Sequence, residues 1–121
     1  MNIDWTQLIT KAMKDAAVLA ALLVAAKADL AARNAKCAVQ IFRIQDRIDT
    51  LGYGIDSGEA TPEDEAEQAA LMINIKSWKA YKFALGKVTA QATWPAAPVW
   101  PAEPIAPVIA ADPQARPLDA V

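Results

Sequence analysis

The sequence predicts an all-α protein: a long helix, a shorter antiparallel helix that folds back on it, and an extended tail rich in proline and tryptophan. Three observations predict this architecture. Residues 1–51 contain neither Gly nor Pro, a helix-start pattern follows at Thr61-Pro62, and seven of the eight prolines lie beyond Trp94. The 121 residues are enough for a single domain. We therefore expect a helical unit over residues 1–88 and a Pro-rich tail over residues 89–121.

The first helix is predicted by its hydrophobic periodicity. Either Asp4 or Thr10 is a suitable N-cap. Alternating steps of four and three residues from Ile9 reach thirteen positions, of which eleven are apolar and two, Lys27 and Asn34, are polar. Such a seam at 3.5-residue spacing is typical of a coiled coil. The alternative is an ordinary amphipathic helix, because 28 of the 121 residues are Ala and inflate the count. The seam residues are Ile9, Met13, Ala16, Ala20, Leu23, Lys27, Leu30, Asn34, Cys37, Ile41, Ile44, Ile48 and Leu51.

The second helix is predicted by its capping residues. Gly52-Tyr53-Gly54 and Asp56-Ser57-Gly58 are typical of turns, so we expect the first helix to end at Leu51. Thr61 is a suitable N-cap, with Pro62 at the first helical position and acidic residues behind it. The pattern continues to Leu85, where Gly86 can form the C-cap. A short loop between two such helices favours an antiparallel hairpin.

The two predicted helices differ in length, and this difference predicts self-association or partner binding. At the α-helical rise, residues 10–51 extend about 63 Å and residues 61–85 about 37 Å. The second helix therefore covers only the later half of the first. An uncovered apolar stripe of that size indicates an interface, and we expect a homo-oligomer. The candidate oligomerisation residues are Met13, Ala20, Leu23 and Leu30.

The tail is predicted to be an extended rod. Five prolines from Pro95 to Pro107 recur at intervals of three, which matches the three residues per turn of polyproline II. Trp94 and Trp100 are then expected on one side of the rod, roughly 19 Å apart. The rod can dock on the aromatic face around Trp78 and Tyr81, on a partner subunit or on another protein. The alternative is a disordered Pro-rich tail.

Several classes of function are excluded or disfavoured by composition. The chain has no His and only one Cys, so the catalytic triads, zinc sites and internal disulfides that need them are excluded. We expect no enzymatic activity, catalytic residue, metal or cofactor. Residues 56–67 contain six acids, but they do not match an EF-hand loop. In a loop starting at Asp56, the third, fifth and sixth positions would be Gly58, Ala60 and Thr61, where the pattern requires two oxygen ligands and then Gly. The net charge of −2 also disfavours nucleic acid as a partner.

A membrane is the next partner that the sequence disfavours. The apolar run of residues 16–26 is shorter than the roughly 20 residues of a transmembrane helix, so we expect no membrane span. It resembles the core of a signal peptide, but the helical pattern continues beyond it, which favours a cytoplasmic protein. A helix lying on a membrane surface is a weaker alternative.

A run of residues near the second helix and the tail carries a family resemblance. It begins Trp78-Lys79-Ala80-Tyr81-Lys82, continues through Leu85 and Val88, and ends with Trp94-Pro95-Ala96-Ala97-Pro98. Residues 71–101 resemble the C-terminal part of tail-fibre assembly proteins of tailed bacteriophages. The resemblance implies a small chaperone of the host cytoplasm that binds a trimeric tail fibre and promotes its folding, either leaving it or staying on the fibre in the virion. The competing hypothesis is a structural component of the phage tail that uses the long helix as a scaffold. The candidate partner-binding residues are Trp78, Tyr81, Lys82, Trp94, Pro95, Trp100 and Pro101.

Overall fold

The computed structural model of the chain describes residues 4–109. Two helices, α1 (Trp5–Asp56) and α2 (Pro62–Leu85), account for most of these residues, and a short 3-10 turn follows at Val88–Ala90. The described part of the chain contains no β-strand. The all-α prediction is confirmed.

The start of α1 is determined by Asp4. Its carboxylate Oδ1 accepts a hydrogen bond from the backbone N–H of Gln7 at 3.2 Å, which satisfies one of the free donors of the first turn. Asp4 is therefore the N-cap, whereas Thr10 lies inside the helix and its hydroxyl donates to the carbonyl of Thr6 at 2.8 Å.

The end of α1 differs from the sequence prediction. The helix passes through Gly52 and Gly54 and ends at Asp56, and the prediction of an end at Leu51 was wrong. The turn is made only by the later residues, with Gly58 at a φ of +76°. The carbonyl of Gly54 accepts hydrogen bonds from the backbone N–H groups of Glu59 and Ala60, at 2.9 and 3.1 Å. The loop thus packs directly on the last helical turn, which small residues permit.

The different settings of the two glycines predict opposite effects of substitution. Gly58→Ala is expected to lower the free energy of unfolding by about 1 kcal/mol, because an L-residue is strained at positive φ. Gly54→Ala is expected to raise it by up to about 1 kcal/mol, because Ala favours a helix interior and the added Cβ meets the Ala60 Cβ at an ordinary 3.7 Å. Urea unfolding followed by circular dichroism measures both changes. A loss of stability in Gly54→Ala would contradict the helical role of this residue.

Thr61 is the N-cap of α2, as predicted, and Asp64 completes the arrangement. The Thr61 hydroxyl accepts from the backbone N–H of Asp64 at 3.1 Å, and the Asp64 carboxylate accepts from the backbone N–H of Thr61 at 3.0 Å. This reciprocal capping box satisfies donors at the helix start. Pro62 occupies the first turn, and the helix ends at Leu85 with Gly86 as its C-cap, as predicted.

The two helices pack antiparallel. The Arg47 guanidinium donates two hydrogen bonds to the Glu67 carboxylate, at 2.7 and 3.1 Å, and the Gln68 amide donates to the carbonyl of Ile48 at 3.2 Å. Farther from the loop, the Cys37 thiol donates to the carbonyl of Trp78 at 3.2 Å. The antiparallel hairpin is confirmed. The buried core cluster consists of Cys37, Ile44, Ile48, Leu51, Leu71, Ile75, Trp78, Tyr81, Leu85 and Ile109.

The unequal lengths of the helices leave the first part of α1 without a cover. Ala26 is the first buried residue of α1, and residues 5–25, which we call the arm, are exposed except for the half-buried Leu23. In the rest of α1, seam residues pack in the core: Cys37, Ile44 and Ile48 are all buried. The prediction that α2 covers only the later part of α1 is confirmed.

Candidate partner-binding site

The tail begins with a turn rather than with a straight rod. Residues 92–96 form turns, and the N–H of Ala97 donates to the carbonyl of Thr93 at 2.8 Å. The Gln91 side-chain amide exchanges two hydrogen bonds with the backbone of Val99, at 2.7 and 2.8 Å, and so closes this loop. The rings of Trp94 and Trp100 therefore meet edge to face with centroids 6.4 Å apart. The predicted separation of about 19 Å was wrong, because it assumed an uninterrupted rod.

Beyond this turn the tail runs along α1 in the same direction as the helix. The Arg33 guanidinium lies 4.4 Å from the centroid of the Trp100 ring, a cation–π contact. The Lys36 ammonium forms an ion pair with Glu103 at 3.0 Å. The Arg43 guanidinium donates to the carbonyl of Pro107 at 2.6 Å. Three cations of one helix thus hold three successive points of the tail.

The opposite side of the tail contacts α2. The carbonyl of Ile105 accepts hydrogen bonds from the Asn74 amide at 3.0 Å and from the Trp78 indole N–H at 3.3 Å. Farther along, Ile109 is buried among the core residues, and Trp100 packs against the same cluster. The tail as far as Ile109 therefore fills the groove between the two helices. The tail residues from 110 onward lie outside the described residues.

The groove floor is the aromatic face that the sequence singled out. Trp78 is fully buried, Tyr81 nearly so, and their rings meet edge to face with centroids 5.9 Å apart. Beside them, Cys37 is fully buried, and burial raises the pKa of its thiol above the ordinary value. The thiol therefore stays protonated and poorly nucleophilic in the folded chain.

The structure brings most of the predicted partner-binding residues together, but it covers two of them. Trp78 and Tyr81 lie beneath the tail of the same chain, so they contact no other protein while the tail is docked. Four tail residues are half-buried and Lys82 is exposed. The half-buried residues are Trp94, Pro95, Trp100 and Pro101.

The outer face of the docked tail is apolar. An open groove of about 640 Å³ lies between α2 and the tail, lined on the helix side by small residues such as Ala80 and Ala84 and on the tail side by Pro101 and Pro104. Ile105 also lines the groove, and the tail side chains Ile105 and Val108 are 85% and 87% exposed. We call this region, together with the exposed Ile73 of α2, the tail face. Its chemistry suits contact with an apolar protein surface.

The arm carries a second apolar surface. Of the predicted oligomerisation residues, Met13 and Ala20 are exposed and Leu23 is half-buried. Leu30 packs against the core of the hairpin, so it is not free for a second chain. Other large apolar side chains of the arm are exposed as well, namely Trp5, Leu8, Ile9, Val18, Leu19, Leu22 and Val24.

Comparisons with known proteins found no matching family model, curated protein or solved structure for this chain. Within the described residues, no group of three or more His, Cys, Asp or Glu side chains is placed to hold a metal ion. Between residues 4 and 109, no helix is long and apolar enough to cross a membrane.

Sequence reasoning did not identify the residues that hold the tail. Arg33, Lys36 and Arg43 belong to a polar stripe that, from Leu30 to Ile48, precedes each seam position by one residue. A stripe beside a coiled-coil seam flanks whatever packs on that seam. The stripe therefore indicates the edge of an interface, but it does not predict that the tail contacts it.

Proposed function

We propose that this chain is a non-enzymatic assembly chaperone for the tail fibre of a bacteriophage, acting in the host cytoplasm and binding the fibre through the tail face. Two arguments support the proposal. Residues 71–101 resemble fibre assembly proteins, and these residues contribute the later part of α2, the turn and the first part of the docked tail. The observation that carries the proposal is the exposure of Ile105 and Val108, at 85% and 87%, on a segment held in place on both sides.

The proposed mechanism is temporary burial of apolar fibre surface. Unassembled fibre chains expose apolar surface that the finished trimer buries, and such surface favours aggregation. Because the tail is already held by Arg43 and Asn74, its binding loses little conformational entropy. The fibre trimer then displaces the chaperone as its own chains bury the same surface.

Two exposed apolar residues of the tail face, Ile105 and Val108, provide a direct test. The double variant Ile105→Glu, Val108→Glu is expected to abolish most of the gain in fibre trimer that the wild-type chain gives on co-expression with the tail-fibre protein of the same phage. Both side chains are exposed, so the hairpin should stay folded. Trimer yield on a non-boiled gel measures the effect, and circular dichroism measures the fold.

The matched control is Phe42→Glu, which places the same charge on an exposed apolar residue of α1 that makes none of the described contacts with the tail. This variant should support the wild-type yield. Full yield from the tail-face variant, or no gain from the wild-type chain, would overturn the proposal.

A second candidate function is a structural component of the phage tail. The observation that favours it is α1, an uninterrupted helix of 52 residues with a length of about 78 Å. A scaffold protein should be present in purified virions at a fixed ratio to the fibre, whereas a chaperone that leaves should be absent. Quantitative mass spectrometry of purified particles distinguishes the two functions.

A further inference from the structure

We propose that residues 100–109 of the tail, which we call the strap, open and close over a hairpin that stays folded. The closed strap covers the aromatic face of Trp78 and Tyr81. Its opening gives other chains access to this face, so the strap acts as an autoinhibitory cover. Three features of the closed state support the proposal: the bonds that hold the strap, the few side chains that it buries and the unpaired polar atoms beneath it.

The bonds that hold the strap come from the side chains of the two helices. All of its described hydrogen bonds are donated by these side chains. The carbonyl of Ile105 accepts from Asn74 and Trp78. The carbonyl of Pro107 accepts from Arg43. The backbone hydrogen bonds of an α-helix lie within the helix, so none of them has to break when the strap opens.

The strap buries few side chains. Of its ten residues, only Ile109 is buried, Trp100 and three prolines are half-buried, and the other five are exposed. Its ion pair joins the side chains of Lys36 and Glu103, which are 55% and 37% exposed, and exposed pairs contribute little to stability. Opening therefore exposes far less apolar surface than unfolding of the hairpin, which exposes the whole core cluster.

The closed strap leaves two buried polar atoms without a hydrogen bond. These atoms are the hydroxyl oxygen of Tyr81 and the Oδ1 of Asn74. The hydroxyl raises the pKa of the nearby Arg33 guanidinium, but a guanidinium only donates, so the hydroxyl proton has no acceptor. Burial of unpaired polar groups costs free energy, which hydration recovers when the strap opens. The open strap is then a minor state of about 0.1–10%, as is typical of such equilibria.

Hydrogen exchange of the full-length chain, followed by NMR, tests the proposal at one residue. The indole N–H of Trp78 donates to the strap, whereas its backbone N–H lies within α2. The indole N–H should be protected at least about tenfold less than the backbone N–H, because it exchanges by local opening. Low concentrations of urea should accelerate only the backbone N–H, since global unfolding exposes much more surface. No fibre is needed, so the outcome is independent of the proposed function.

A pair of variants tests whether the strap protects the indole. Ile109→Ala removes the buried anchor of the strap and should accelerate indole exchange at least about tenfold. The matched control is Val108→Ala, which changes the neighbouring strap residue, 87% exposed, and should leave the rate unchanged. Equal protection of the two N–H groups of Trp78, an equal response to urea, or indole exchange that Ile109→Ala does not accelerate would each overturn the proposal.

Discussion

Replacing Trp78 by alanine is expected to lower the free energy of unfolding by about 3–5 kcal/mol, as is typical for a large aromatic side chain in a core. Trp78 is fully buried, contacts the Tyr81 ring edge to face and donates from its indole N–H to the tail carbonyl of Ile105. Its loss opens a cavity at the point where both helices and the tail meet. Urea unfolding followed by far-UV circular dichroism measures the change.

The matched control is Phe83→Ala in the same helix. Phe83 is 68% exposed and contacts the Lys87 ammonium over its ring at 4.6 Å. Its replacement is expected to change the stability by less than about 1 kcal/mol, since surface substitutions are usually small in effect. Equal losses in the free energy of unfolding for Trp78→Ala and Phe83→Ala would mean that Trp78 does not lie in a core formed by the helices and the tail.

Ending the chain after Ala90 is expected to lower the stability of the hairpin by about 3 kcal/mol and to expose Cys37. The estimate corresponds to the loss of the buried Ile109 side chain and of the packing of Trp100. The tail as far as Ile109 therefore contributes to the packed core of the hairpin. Without the tail, water reaches the groove floor around Cys37.

The reaction of Cys37 with Ellman's reagent measures this exposure. Burial raises the pKa of the thiol in the full chain, so removal of the tail should lower it toward the ordinary value. At pH 8 the thiolate fraction then increases, and the reaction should be at least about tenfold faster, because the thiolate is the reactive form.

A chain ended after Ile109 is the matched control for this truncation. It keeps every described contact between the tail and the helices, including those of Glu103, Pro107 and Ile109. Its Cys37 should react as slowly as in the full-length chain. Slow reaction after the shorter truncation at Ala90 would mean that the helices protect the thiol without the tail.

The candidate sites could be predicted only in part. Periodicity correctly located the uncovered arm, because the lengths of both helices follow from local patterns and capping residues. The same reasoning placed Trp78 and Tyr81 on an aromatic face with the tail among its candidate occupants. Sequence reasoning could not decide which segment covers this aromatic face. That depends on contacts between residues far apart in the chain, such as Arg43 and Pro107, which are 64 residues apart.

The sequence by itself determined the two helices, the N-cap of the second at Thr61, the antiparallel hairpin and the difference in helix length. These features depend on hydrogen bonds and side-chain spacing within a few residues. Only the tertiary structure decided that α1 continues through Gly54. The carbonyl of Gly54 also accepts hydrogen bonds from the loop that packs on this turn of the helix. It likewise decided that the tail turns at residues 92–96 and fills the groove above Trp78. A proline-rich segment lacks local hydrogen bonds that fix its path, so its position depends on the cations, amide and indole that two distant helices bring to it.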